Sequence, residues 1–119
     1  MFAIELRAVS PHGQRRRAYE IHVGSDLFGQ LAVTIDFGVI GTRGQRRVHL
    51  VTDIAEAQAV VCRALRRRLT APRRIGVPYR VIACHDPGCW LAMMELSTDR
   101  WPVGDNPIRS RRGAELWHP

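Results

Sequence analysis

The sequence predicts an α+β domain, a twisted antiparallel sheet of four to five strands packed against one long α-helix, followed by an irregular C-terminal extension with a short helix. Three observations predict it. Apolar and polar residues alternate with period two in separate segments between Phe2 and Val51, and turn-forming residues divide those segments. A single stripe at helical spacing follows, from Ile54 to Leu69. The chain has 119 residues, enough for one substantial core and too few for two. We divide it into a domain over residues 1–84 and an extension over residues 85–119.

The first strand is read at Phe2–Val9, where Phe2, Ile4 and Leu6 alternate with polar or small residues. Ser10-Pro11-His12-Gly13-Gln14 breaks it. Arg15, Arg16 and Arg17 lead from this basic loop into a second strand, with Tyr19, Ile21 and Val23 on one face and Glu20 and His22 on the other. Gly24 to Gly29 forms the next turn. Leu27 and Phe28 are too apolar to stand idle there, and they are expected to tuck under the sheet edge. The third strand runs from Leu31 to Phe37, placing Leu31, Val33, Ile35 and Phe37 opposite Thr34 and Asp36, and the fourth is Arg47–Val51.

Asp53 starts the helix, and Glu56 three positions on completes an Asp version of the capping box, which satisfies the first free N–H groups. Ile54, Ala57, Val61, Ala64, Leu65 and Leu69 form a stripe able to cover one face of the sheet. Cys62, beside the stripe, reads as a small hydrophobe. Arg63, Arg66, Arg67 and Arg68 crowd the last turns, where positive charge suits a helix C-terminus without any ligand. Ala71-Pro72 stops the helix, and Tyr79–Cys84 makes a fifth strand. In the extension, Asp86-Pro87 caps a short helix in which Trp90, Met93, Met94 and Ser97 share a face. All three tryptophans, Trp90, Trp101 and Trp117, lie in this extension. Two readings of it stand, packing on the domain's own surface or forming a protein-partner or dimer surface.

There are 18 arginines and no lysine against 11 acidic residues, a net charge of +7. Residues 1–80 hold 14 of those arginines and 6 acids, a balance of +8, while residues 81–119 hold 4 and 5, a balance of −1. A module with an electrostatic footprint for nucleic acid has this asymmetry, although a solvated basic face gives the same balance. Three cysteines in a chain with no signal-like N-terminus and no run approaching a membrane span lead us to expect a cytoplasmic protein with reduced thiols and no membrane partner. Cys84-His85-x-x-x-Cys89 lacks the second ligand pair of a structural zinc site, so no metal is expected. The five histidines fall in no triad or metal pair, and there is no nucleophile elbow, P-loop or dinucleotide fingerprint. The reading is a non-enzymatic protein with no cofactor and no small-molecule substrate.

The stretch that organises the chain is Ile35 to Val51, two apolar segments joined by a turn with Gly38, Gly41 and Gly44 spaced three apart and Arg43, Arg46 and Arg47 between and after them. Free backbone N–H groups edged with guanidinium forks suit a phosphate. Glycine-rich hairpin turns with exposed arginines also occur where nothing binds, and Phe37, the last inward residue of its strand, reads as core.

This stretch resembles the core of the WGR domain, named for a Trp-Gly-Arg motif and found beside the catalytic domain of DNA-dependent poly(ADP-ribose) polymerases and in short bacterial proteins. Arg17-Ala18-Tyr19-Glu20-Ile21 is similar to the family's R-F-Y-x-I strand, Asp26-Leu27-Phe28-Gly29 to its D-L-F-G turn, and Ile40-Gly41-Thr42-Arg43-Gly44-Gln45 to its I/V-G-T-x-G-Q run. Ala55-Glu56-Ala57 is similar to the entry of its helix. The resemblance covers roughly Phe2 to Tyr79. At the motif itself Phe37-Gly38-Val39 stands for Trp-Gly-Arg, so an aromatic is kept and the arginine is lost. The resemblance implies DNA binding at ends, nicks or 5′-phosphates. In that reading Arg15, Arg16, Arg17, Arg43, Arg46 and Arg47 capture the backbone, while the turn of Gly38, Gly41, Thr42, Gly44 and Gln45 receives a phosphate and Phe37 contacts the terminal sugar. The alternative is a protein-interaction module of the same fold that has left DNA and works through its Trp-rich C-terminal segment. An RNA binder is the weaker third class, because the aromatics are not interleaved with arginines on one sheet surface.

Overall fold

In the computed structural model, which describes residues 1–96 and 101, five strands form one antiparallel sheet. They are β1 (Phe2–Val9), β2 (Arg16–Ser25), β3 (Leu31–Val39), β4 (Gln45–Leu50) and β5 (Arg80–His85), in the order β4-β3-β2-β1-β5. The helices are α1 (Ile54–Leu69), α2 (Ala71–Ile75) and α3 (Trp90–Met93).

Period-two alternation decides which face is covered. Phe2, Ile4 and Leu6 pair across the β1–β2 ladder with Val23, Ile21 and Tyr19, and Tyr19, Ile21 and Val23 pair in turn with Phe37, Ile35 and Val33. Ala57, Val61 and Leu65 of α1 complete the same core. Leu65 is fully buried, so Leu65→Ala is expected to destabilise the fold by about 2–5 kcal/mol through lost transfer energy and the cavity left behind. Urea denaturation of the purified variant measures this.

The start of α1 follows from its cap. Asp53 Oδ1 accepts the Glu56 amide at 2.8 Å, and the Glu56 carboxylate reaches back to the Thr52 amide at 3.1 Å and hydroxyl at 2.7 Å. The helix ends at Leu69 as expected, but Ala71-Pro72 does not send the chain into a loop. Pro72 occupies the first turn of α2, where a missing N–H and a fixed φ cost nothing. Strand β5 then pairs with β1 through a bulge, because Glu5 lies opposite Ala83 while Leu6 lies opposite Val81.

Leu27 and Phe28 do not tuck under the sheet edge; they are 99% and 93% exposed. The turn closes through its own polar groups instead. Asp26 Oδ1 accepts the amides of Phe28 and Gln30, both at 2.8 Å, and the Asp26 amide donates to Gln30 O at 2.8 Å. Val51, joined to Leu31 O, is the residue buried at that end of the core.

The described part of the extension packs on the chain's own core. Asp86 caps α3 by accepting the amides of Trp90 at 2.7 Å and Leu91 at 2.9 Å, and the Trp90 indole stacks on Phe2 at 5.2 Å and 9°. Trp90, Leu91, Met94, Leu96 and Trp101 are buried. A helix of four residues cannot hold one face over the predicted length, and Met93 is exposed rather than sharing the buried side. Ser97 and Trp117 lie outside the described residues. No helix among the described residues is long and apolar enough to cross a membrane.

Candidate nucleic-acid interface

The connection between β3 and β4 is built on two glycines that touch. A Cβ on Gly38 would stand 2.7 Å from Gly44 Cα, and one on Gly44 would stand 2.5 Å from the Phe37 carbonyl oxygen. Gly44 also takes φ +69°, in the left-handed region that other residues enter at a cost. Within the turn, the Thr42 amide and hydroxyl both donate to Val39 O, at 3.0 and 2.7 Å. The amides of Gly41, Arg43 and Gly44 have no hydrogen-bond partner among the described residues.

Backbone pairing brings the arginine loop to this turn. Arg17 pairs with Val39, and the Ile40 amide donates to Arg16 O at 2.8 Å. A hollow of about 180 Å³ lies between Gly13–Arg17 and Val39. Arg15, Arg16, Arg17 and Arg43, all exposed, therefore gather at one end of the sheet.

Strand register then sorts the remaining arginines by face. Arg46 pairs with Asp36 and Arg47 with Ile35, so two neighbours in sequence point to opposite sides of the sheet. On the side away from α1, Arg46 is held by Asp36 through two hydrogen bonds of 2.7 and 3.2 Å. A hollow of about 160 Å³ on that side is lined by Arg7, Glu20, Asp36, Arg43 and the glycine turn. Burial raises the Glu20 pKa, and the nearby charges of Glu5 and Asp36 raise it further. This face of the turn is therefore partly acidic.

The α1 side differs in chemistry. A cleft of about 270 Å³ opens between α1 and the sheet, lined by Tyr19, Ile35, Phe37, Arg47, His49, Ala64, Arg67 and Arg68. The Arg47 guanidinium lies 5.4 Å from the centre of the Phe37 ring, and that of Arg68 lies 4.3 Å from Tyr19 and 5.9 Å from Tyr79. Tyr19 and Phe37 are neighbours at 6.4 Å. Arg68 Nε is buried and has no hydrogen-bond partner among the described residues. Burial also raises the Tyr19 pKa.

The structure thus places Phe37 and Arg47 in the cleft, with Gln45 exposed on the same face opposite Phe37. Phe37 is half-buried, packing against the core with one side and lining the cleft with the other. Arg67 and Arg68 escaped sequence reasoning, which assigned them to the helix dipole. Their signal was positional, since Arg67 and Arg68 lie three and four residues after Ala64 and so flank the apolar stripe. Cys84 is no reactive thiol, because burial pushes its pKa up to about 12. Among the described residues no three His, Cys, Asp or Glu side chains converge as a metal site requires.

Fold and cleft together define a small α+β module that presents arginines, aromatic rings and open turn amides at one end of an antiparallel sheet. The family model of the WGR domain matches residues 2–71, more than half of the chain, and the chain belongs to the WGR-domain family. That domain is nucleic-acid-binding in proteins related to poly(ADP-ribose) polymerases and is not itself catalytic. No match was found among curated proteins or among solved structures.

Proposed function

We propose that the protein binds DNA at ends, nicks or 5′-phosphates, without catalysing a reaction, through the glycine turn and the cleft beside it. The observation that carries this reading is the cleft itself, in which the Arg47 and Arg68 guanidiniums lie over the Phe37 and Tyr19 rings. The exposed Arg47 guanidinium suits an anionic oxygen, and the rings suit a sugar or base laid against them. Arg15, Arg16, Arg17 and Arg43 supply the long-range attraction, and the amides of Gly41, Arg43 and Gly44 are available to a phosphate. Arg46 contributes less, because Asp36 occupies its guanidinium.

Fluorescence anisotropy with three duplexes of equal length tests the reading: nicked with a 5′-phosphate, nicked without it, and intact with both ends closed by hairpins. The phosphorylated nick is expected to bind most tightly, and the slope of log affinity against log salt is expected at about −0.9 for each phosphate engaged. Equal affinity for all three, or affinity that does not change with salt, would sink the proposal.

A further inference from the structure

We propose that the β2–β3 turn of one copy docks into the arginine–aromatic cleft of another, head to tail, so that self-association and DNA compete for one surface. Self-association stands on its own observations, and only the competition rests on the DNA-binding reading.

The two ends of the sheet are chemical complements. At one end, Leu27 and Phe28 project almost fully exposed from a turn fixed by the Asp26 bonds and pinned to Val51 O by Gln30 Nε2 at 2.8 Å. A turn backbone held this rigidly loses little conformational entropy when a pocket receives its side chains. Exposed Leu50 and Ile54 flank the Val51 segment. No arginine occurs between Ala18 and Thr42 or between Val48 and Cys62, and Asp26, Asp53 and Glu56 outnumber the Met1 ammonium, which donates to Val23 O at this end. At the other end the cleft offers Ile35, Phe37, Tyr19 and Ala64 as an apolar floor beneath arginines.

Charge selects the occupant. A nucleic acid or an anionic membrane is repelled by the acidic end, and two such ends facing each other repel as well. The arginine cleft attracts it. The turn cannot reach its own cleft, because the Asp26 and Gln30 bonds fix it in place and the strand from Leu31 to Phe37 spans roughly 20 Å at about 3.3 Å per residue. A second copy is the occupant that meets both conditions. The contact is heterologous, leaving a free turn and a free cleft at the two ends, so it extends into open chains instead of closing as a dimer. Two apolar side chains and a few solvent-exposed ion pairs make it weak, and it belongs to the upper range of protein concentration.

Sedimentation equilibrium of the full chain at low salt tests this, using Phe28→Arg and Arg47→Glu, both changes at the surface, with circular dichroism as a check on folding. Wild-type average mass is expected to rise with concentration, while each variant alone stays monomeric. An equimolar mixture of the two variants is expected to form a one-to-one dimer and nothing larger, because only one intact turn and one intact cleft can meet. The proposal is overturned by a wild-type mass independent of concentration, by a mixture that stays monomeric, or by Phe28→Arg associating like wild type. A 5′-phosphorylated duplex that binds the wild type should dissolve the chains, and one that binds while leaving them intact overturns the shared cleft. Assembly without any DNA affinity would support the self-association and remove the DNA-binding reading alone.

Discussion

Gly44→Ala is expected to disable the β3–β4 turn and cost the fold about 2–4 kcal/mol, beyond the roughly 1 kcal/mol usual for an exposed turn glycine. Two effects add. The new Cβ meets the Phe37 carbonyl at 2.5 Å and its carbon at 3.2 Å, both backbone atoms that cannot swing aside, and φ +69° is unfavourable for any residue bearing a Cβ. Relief requires β3 and β4 to separate where Phe37 pairs with Gln45, which moves the Phe37 ring and Arg47 together. Thermal unfolding followed by circular dichroism reads the stability, and DNA affinity is expected to fall with it. Gly41→Ala is the control, since a Cβ there meets nothing within 4 Å and only the φ of +89° resists it. Equal loss from the two variants would show that the close approach of Gly38 and Gly44 is not what shapes the turn.

Arg47→Glu is expected to weaken DNA binding by about ten- to a hundredfold, the range for losing one charge-assisted hydrogen bond of about 1.5–3 kcal/mol, and to flatten the salt dependence by about 0.9 or more. Arg43→Glu at the turn should act in the same direction. Arg46→Glu is expected to cost much less affinity. Its guanidinium is already shared with Asp36, and it stands on the side of the sheet where Glu20 and Asp36 line the hollow. Isotherms of the wild type and the three variants at two salt concentrations decide the matter. If Arg46→Glu proves as harmful as Arg47→Glu, nucleic acid approaches from the opposite face and the cleft is the wrong site.

The fold was legible where local chemistry sets it. Alternation in Phe2–Val9 and in the second and third strands needs only that one face be buried, and the Asp53–Glu56 cap marks the helix start without reference to anything distant. Leu27 and Phe28 were misread for a physical reason. Hydrophobicity predicts burial on average, but this turn is shaped by Asp26 and the backbone, which leave its apolar side chains no choice of direction.

Less of the site was legible. That Arg46 and Arg47 part company follows from strand geometry, but which of them faces α1 depends on the pairing of β4 with β3, and no residue announces that register. The contact of Arg68 with Tyr19 joins positions far apart in sequence. Composition located the arginines in the first 80 residues, and only tertiary packing separated those held by carboxylates from those set over rings.

The stacking of Trp90 on Phe2 has a practical bearing on where this molecule can be cut. Family boundaries would end a fragment at residue 71 and discard β5 and α3. Such a piece keeps the arginines and the glycine turn, yet it strips one flank of β1, bares its hydrogen-bonding groups to solvent and uncovers a phenylalanine ring that the tryptophan had shielded. A sticky border of that kind invites precipitation, and any DNA affinity lost with the fragment would reflect a damaged sheet, not a missing ligand contact.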